Sequence, residues 1–333
     1  MKKQILAGLV SAALVMTAFA GCGSNSSDSS SSTKSSDAKY TIGICQLVQH
    51  EALDKATQGF EDYLKDKLGD DVTFDEQNAA GDSATCATIC NSFVSSGEDL
   101  ILANATPALQ AAIAATDTIP IVGTSVTDYA TALSISDWTG VTGTNVTGTS
   151  DLAPLDQQAE MLHELFPDAK NVGILYCSAE PNSKYQADSI RTYLEDYGYT
   201  VSDFTFSDSN DVASVAQKAC DSSDVLYAPT DNTVANCGEN INNVALPAGV
   251  PIVAGEEGIC RTCGVATLSI DYYQLGQLAG EQAYDILVNG KDPGTIEIKT
   301  ADSVTKEYNK DIADKLGVKI PDGYTAIDTS SEE

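Results

Sequence analysis

The chain has 333 residues, of which 48 are acidic and 18 basic, for a formal net charge of −30 at pH 7. Such acidity repels nucleic acid and anionic lipid, so DNA and RNA are excluded as partners; the length is ample for a large core in one or two lobes. The acidic residues are spread along the chain rather than blocked, as on a solvated surface.

In chain order, Met1-Lys2-Lys3 is a basic start and an apolar run extends from Ile5 to Ala20. The run is short for a bilayer and ends in small residues, which predicts a signal peptide over 1–21. Ala20-Gly21-Cys22 resembles a bacterial lipobox, so Cys22 is expected to become the lipidated N-terminus. An ordinary cleaved signal with an incidental cysteine is the alternative. Residues 22–39 are Ser-rich with no large apolar side chain before Tyr40, and read as a flexible tether. The expected location is extracytoplasmic, lipid-anchored to the outer face of the cell membrane, with no later stretch apolar enough to span.

From Tyr40 onward, short apolar runs alternate with helical patterns. Strands are expected at 40–45, 72–74, 100–103 and 119–122, with helices at 51–68, 83–94 and 107–115 between them. Leu100-Ile101-Leu102-Ala103 is continuously apolar, as a buried parallel strand requires. Residues 142–151 are Gly/Thr-rich and read as a crossing segment. A second series then repeats the order: strands at 172–177, 201–206, 225–228 and 252–254, and helices at 185–197, 212–220 and 233–244. Their openings even match, Ile42-Gly43-Ile44 against Val172-Gly173-Ile174. A strand at 265–269, a helix at 272–288, an extended piece at 293–298 and a helix at 309–316 complete the chain. The fold class is α/β: two doubly wound parallel-sheet lobes side by side.

Nine cysteines include Cys22 and the eight from Cys45 to Cys263. Cys45 and Cys177 lie in strand-like runs; Cys86 and Cys90 share a helix face. Cys260-Arg261-Thr262-Cys263 is a lone C-x-x-C, and His50 and His163 are the only histidines, too few ligands for a zinc site. A local disulfide and free thiols both remain open. No metal or cofactor is expected.

Five segments carry a resemblance: Asp99-Leu-Ile-Leu-Ala-Asn-Ala-Thr-Pro-Ala-Leu-Gln, Gly123-Thr-Ser-Val-Thr-Asp, Asn145-Val-Thr-Gly-Thr-Ser-Asp, Ser178-Ala-Glu-Pro-Asn-Ser and Pro229-Thr-Asp-Asn. Together they resemble the tryptophan/tyrosine-type substrate-binding lipoproteins of ABC transporters, over nearly all of residues 40–326. The resemblance implies a type I periplasmic-binding-protein fold, three crossing segments and an aromatic amino acid held between the lobes. It implies an N-terminal lobe of 40–149 plus 270–292, a C-terminal lobe of 150–269 plus 293–326, and a tail at 327–333. The implied partners are the amino acid, an ABC permease and its ATPase.

Parallel strands place their C-terminal ends and the following helix starts on one edge, where free N–H groups suit a carboxylate. Thr106-Pro107 and Asn182-Ser183 sit at such points, one pair per lobe, though each is also an ordinary cap. Thr124, Ser125 and Ser178 offer hydroxyls. Asp231 is the expected acceptor for a ligand ammonium, or a helix cap before Thr233. Gln46 and His50 follow the first strand; Glu256, Asp271 and Tyr272 lie near the expected return crossing, where Tyr272 could stack on a ring.

Enzyme constellations are absent. There is no G-x-S-x-G elbow, neither His50-Glu51 nor His163-Glu164 has a second histidine four residues on, and there is no phosphate-binding G-x-x-x-x-G-K-[ST] loop. A branched-chain amino acid, a nucleoside or a sugar is the alternative ligand, and a sensory receptor module the alternative role, since one fold serves all of them.

Overall fold

A computed structural model describes residues 38–328. The signal peptide, Cys22 and nearly all of the tether lie outside the described residues, as does most of the 327–333 tail. The first series runs β1 (Tyr40–Gln46), α1 (Glu51–Leu68), β2 (Val72–Asn78), α2 (Ser83–Ser96), β3 (Leu100–Asn104), α3 (Thr106–Ala115), β4 (Ile121–Val126), α4 (Tyr129–Leu133) and β5 (Val146–Ser150). The second runs α5 (Leu155–Leu165), β6 (Asn171–Cys177), α6 (Pro181–Asp196), β7 (Thr200–Phe206), α7 (Val212–Ser222), β8 (Val225–Ala228), α8 (Asn232–Asn236), α9 (Gly238–Ala248), β9 (Ile252–Ala254), α10 (Glu257–Thr262) and β10 (Ala266–Ile270). The chain continues through α11 (Tyr272–Leu287), β11 (Lys299–Thr300), β12 (Val304–Tyr308), α12 (Lys310–Leu316) and β13 (Thr325–Ala326).

The strands form two sheets, one in each of two α/β lobes. The first has the order β11-β5-β4-β3-β1-β2 and the second β13-β12-β10-β9-β8-β6-β7. Pairing is parallel throughout, except that β12 runs antiparallel to β10. Helices cover both faces, so β3 and β8 are buried along their whole length and read as uninterrupted apolar runs. Asp82, Asp128 and Asn309 start α2, α4 and α12 by accepting a backbone N–H two or three residues on.

The chain passes from the first sheet to the second after β5, returns after β10, and passes again between β11 and β12. The two openings that match in sequence, β1 and β6, occupy equivalent places beside the sheet edges, next to β2 and β7. Residues 146–150, expected within a crossing segment, are instead a paired strand of the first sheet. The last passage also differs from expectation. Residues 293–300, assigned above to the second lobe, belong with the first sheet. Gly143 N–H donates to Gly294 O, and Lys299 and Thr300 pair with Thr149 and Ser150. A Cβ on Gly294 would lie 2.4 Å from Thr144 O, so the absent side chain is what lets this turn seat against the first lobe.

The return is fixed by helix packing. α11 follows the last parallel strand of the second sheet, yet packs along α1 of the first lobe. Glycines on both helices allow close approach: a Cβ on Gly59 would lie 2.1 Å from Tyr273 O, and one on Gly276 2.0 Å from Ala56 O. Gly276→Ala should therefore push the helices apart and cost about 1–3 kcal/mol of stability, read as a lowered melting temperature. An unchanged melting temperature would show that the close approach is dispensable.

Candidate ligand cleft between the lobes

The C-terminal strand ends of both sheets converge on an enclosed chamber. From the first lobe come Ser125 and Thr127 at the end of β4, and His50 and Leu53 at the start of α1. From the second come Asn182, the Thr230–Asn232 turn and Glu256. Asp151, just after β5, and Tyr272, just after β10, line it at two of the crossings. The chamber measures about 10 Å³, room for one water molecule. A wider cleft of about 170 Å³ adjoins it at Asn232. Leu47, Val48, Pro107, Cys177 and Ala179 form its apolar wall; Ser83, Ser207, Asp208 and Asn236 belong to its polar side.

Local strain marks the first-lobe side. Ala105 (φ 97°) and Ser125 (φ 54°) hold left-handed backbone at the ends of β3 and β4, uncommon for residues with a side chain. A register shift between Gly123 and Val126 breaks the β4–β5 pairing and turns Ser125 out of the ladder. Its buried Oγ has no partner, and neither have Thr106 Oγ1 and Asn182 Oδ1.

Carboxylates dominate the electrostatics. Asp151, Asp231 and Glu256 line the chamber, Glu180 lies just behind it, and all four are at most 5% exposed. Among the described residues no lysine or arginine is buried. Burial raises the Asp151 carboxyl above its ordinary range and pushes Glu256 up to about 7. Burial, and then the neighbouring Glu180, raise Asp231 well above its ordinary range. Burial lowers His50, which keeps it neutral. Its Nε2 lies 3.2 Å from Asn232 Oδ1, which only accepts, so Nε2 carries the proton and donates across the lobes. Asn232 Nδ2 in turn donates to Glu180 at 2.7 Å.

The residues singled out by sequence divide into three groups. Ser125, Asn182, Asp231, Glu256 and Tyr272 come together at the chamber, and Pro107 lines the adjoining cleft. Thr106 and Ser183 are buried nearby; the Ser183 hydroxyl is bonded to Asn182 and Asp231. The others work elsewhere. Gln46 accepts from Thr57 and donates to Val48 O and Asp54, tying β1 to α1. Thr124 Oγ1 accepts from Thr149 inside the sheet, Ser178 is exposed and donates to Phe206 O, and exposed Asp271 caps α11. Of the two roles expected for Asp231, the helix cap is the one its hydrogen bonds display. One oxygen accepts from Cys177 N–H and the other from Val234 N–H, so it caps α8 and ties it to β6. Sequence reasoning did not single out Asp151, Thr127 or Asn232, although each falls within a quoted motif.

The family model for ABC transporter substrate binding proteins matches residues 41–330. The chain belongs to that family. Its members bind a small solute and do not transform it. A tyrosine-binding protein of Clostridioides difficile (strain R20291) is 38% identical over 323 residues, covering 95% of this chain and 93% of the relative. An ABC domain from Streptococcus pneumonia, solved in complex with L-Trp, is 32% identical with a TM-score of 0.82, covering 87% of this chain and 100% of that one. The ligand-free, open structure of a Clostridium difficile substrate binding protein with adhesive properties is 36% identical but has a TM-score of 0.66, covering 87% of this chain and 99% of that one.

The eight cysteines from Cys45 to Cys263 are buried and unpaired. Burial pushes the Cys263 thiol up to about 12, far from reactive thiolate. Among the described residues no helix is long and apolar enough to cross a membrane, and no group of His, Cys, Asp and Glu is arranged to hold a metal.

Behind the chamber, four charges alternate across the lobes. Arg261 on α10 meets Glu51 on α1 through Nε at 2.8 Å and Nη2 at 3.0 Å. Lys55 bonds Glu51 at 2.7 Å and reaches Glu257 at 3.5 Å, and Glu257 bonds Arg261. Against burial, which would raise it, Lys55 and Arg261 hold the Glu51 carboxyl below its ordinary range. Arg261→Met should weaken this latch by about 1 kcal/mol, so that amide hydrogen exchange at 51–55 and 232–236 quickens roughly fivefold. Unchanged exchange would show that the network does not hold the lobes together.

Proposed function

We propose that this protein captures an aromatic L-amino acid outside the cell membrane and passes it to an ABC permease powered by a separate ATPase. The observation that carries this reading is the joining of two unlike spaces between the lobes. The chamber has polar and acidic walls suited to an amino acid head group. The adjoining cleft has an apolar wall, and 150 Å³ of such space is enough for a benzene ring. Its polar side suits a ring with a polar tip, the phenol of tyrosine or the indole of tryptophan. The tyrosine-binding relative and the L-Trp complex support the same ligand class. Ser125 Oγ, and Thr106 beside it at the start of α3, supply donors for the carboxylate; the acidic wall receives the ammonium.

The chamber, closed to the size of a water molecule, admits a head group only when the lobes separate. Binding is therefore coupled to opening and reclosing of the lobes about the crossings. Ala20-Gly21-Cys22 and the Ser-rich segment after it support tethering by a lipid at Cys22.

In a thermal-shift screen of protein stripped of carried-over ligand, L-tyrosine or L-tryptophan at a hundred times its dissociation constant should add about 2.7 kcal/mol of stability. Nucleosides and sugars should add nothing; stabilisation by a sugar alone would reject the reading. Cys22→Ala should release the protein into the medium and abolish palmitate labelling, whereas retained label would reject the anchor.

A further inference from the structure

The four buried carboxylates of the cleft are not equivalent. Asp231 holds the N–H groups of Cys177 and Val234, at 2.7 and 2.8 Å. Glu256 holds those of Gly258 and Ile259 at the start of α10. Glu180 holds those of Asn232 and Thr233, together with three side chains. These donors are fixed by the backbone, so those carboxylates are committed to building the second lobe.

Asp151 is engaged differently. Its Oδ1 accepts from Thr127 Oγ1 at 3.1 Å and its Oδ2 from Tyr272 OH at 3.0 Å. Both donors are hydroxyls that can turn, and a carboxylate has lone pairs beyond the two they occupy. Asp151 is 3% exposed, lines the chamber, and has no cationic side chain bonded to it. The second lobe contributes Asn182 to the same chamber, a residue 5% exposed whose Oδ1 is a buried acceptor without a partner. An ammonium carries three N–H donors and a positive charge. It matches one uncommitted carboxylate and one unpartnered amide oxygen, where no neutral group would neutralise the buried acid.

We propose that Asp151, together with Asn182 on the other lobe's side of the chamber, is the recognition site for the ligand's α-ammonium. This assignment rests on the amino acid reading above. Asp151 lies on the first crossing and its partner Tyr272 begins the helix after the second, so the ligand's charge sits where the lobes are joined.

The test compares L-tyrosine with its des-amino analogue, 3-(4-hydroxyphenyl)propionate, by calorimetry on wild type and Asp151→Asn. Asp151→Ser repeats the measurement with a smaller group, so that a folding defect in one variant does not decide the outcome. Wild type should prefer the amino acid, and both Asp151 variants should lose about 10- to 100-fold of that preference. If both Asp151 variants kept the wild-type preference, the ammonium would lie elsewhere and the assignment would be wrong. If wild type bound L-tyrosine and the analogue equally, amine recognition itself would fail; if it bound neither L-tyrosine nor L-tryptophan, the aromatic amino acid reading would fail and take the assignment with it.

Discussion

Carboxyl groups buried without a basic partner are the constraint around which this molecule is organised. Four carboxylates stand at or beside the interlobe chamber, while among the described residues no lysine or arginine is buried anywhere. An isolated buried carboxylate is costly, and three of the four are made tolerable by helix-start N–H groups, which carry the positive end of the backbone dipole. Asp151 has hydroxyls instead. The remaining imbalance is a standing attraction for a cationic group of the right size, and the apolar cleft beside it decides what that group is attached to. On the proposed reading, selectivity has two parts: charge chooses an amine, and shape and burial choose a ring.

The same constraint explains why the lobes carry a second set of charges outside the chamber. Glu51, Lys55, Glu257 and Arg261 alternate in sign and cross the lobe boundary, and all four are only partly buried. Partly solvated pairs of this kind contribute little each, and salt and water weaken them. That suits a closure that must be reversible, since a strong latch would hold the lobes shut with no ligand inside. His50 and Asn232 add one neutral hydrogen bond across the lobes, oriented by Glu180. Closure is thus favoured by several small terms, to which, on the proposed reading, a bound amino acid adds the decisive one.

The fold was largely legible in the sequence because its strands announce themselves. Leu100 to Ala103 is apolar at every position, and the repeat of Ile42-Gly43-Ile44 in Val172-Gly173-Ile174 reveals the two halves. The errors fell where tertiary contact overrode local pattern. Val146-Thr-Gly-Thr-Ser150 looks like a linker from its composition, yet pairs with β4. The turn at Gly294 belongs to the first lobe through a backbone contact that composition does not display. The site was legible only to the level of loops. Thr124 and Ser125 are neighbours with the same chemistry; a bulge sends one into the sheet and the other into the chamber, and a bulge has no signature in a single sequence. Asp231 and Asp151 are both acids after strands, and only the donors around them separate a cap from an open acceptor.

The central claim is that a ligand draws the two lobes together by bridging them. Small-angle X-ray scattering of ligand-stripped protein, titrated with L-tyrosine or L-tryptophan to calorimetric saturation, tests it most directly. The account predicts a decrease in radius of gyration that follows the binding isotherm and ends at the value calculated for the closed arrangement described above. A radius that stayed constant through saturation would contradict it, because the ligand would then be filling a site already formed rather than closing one.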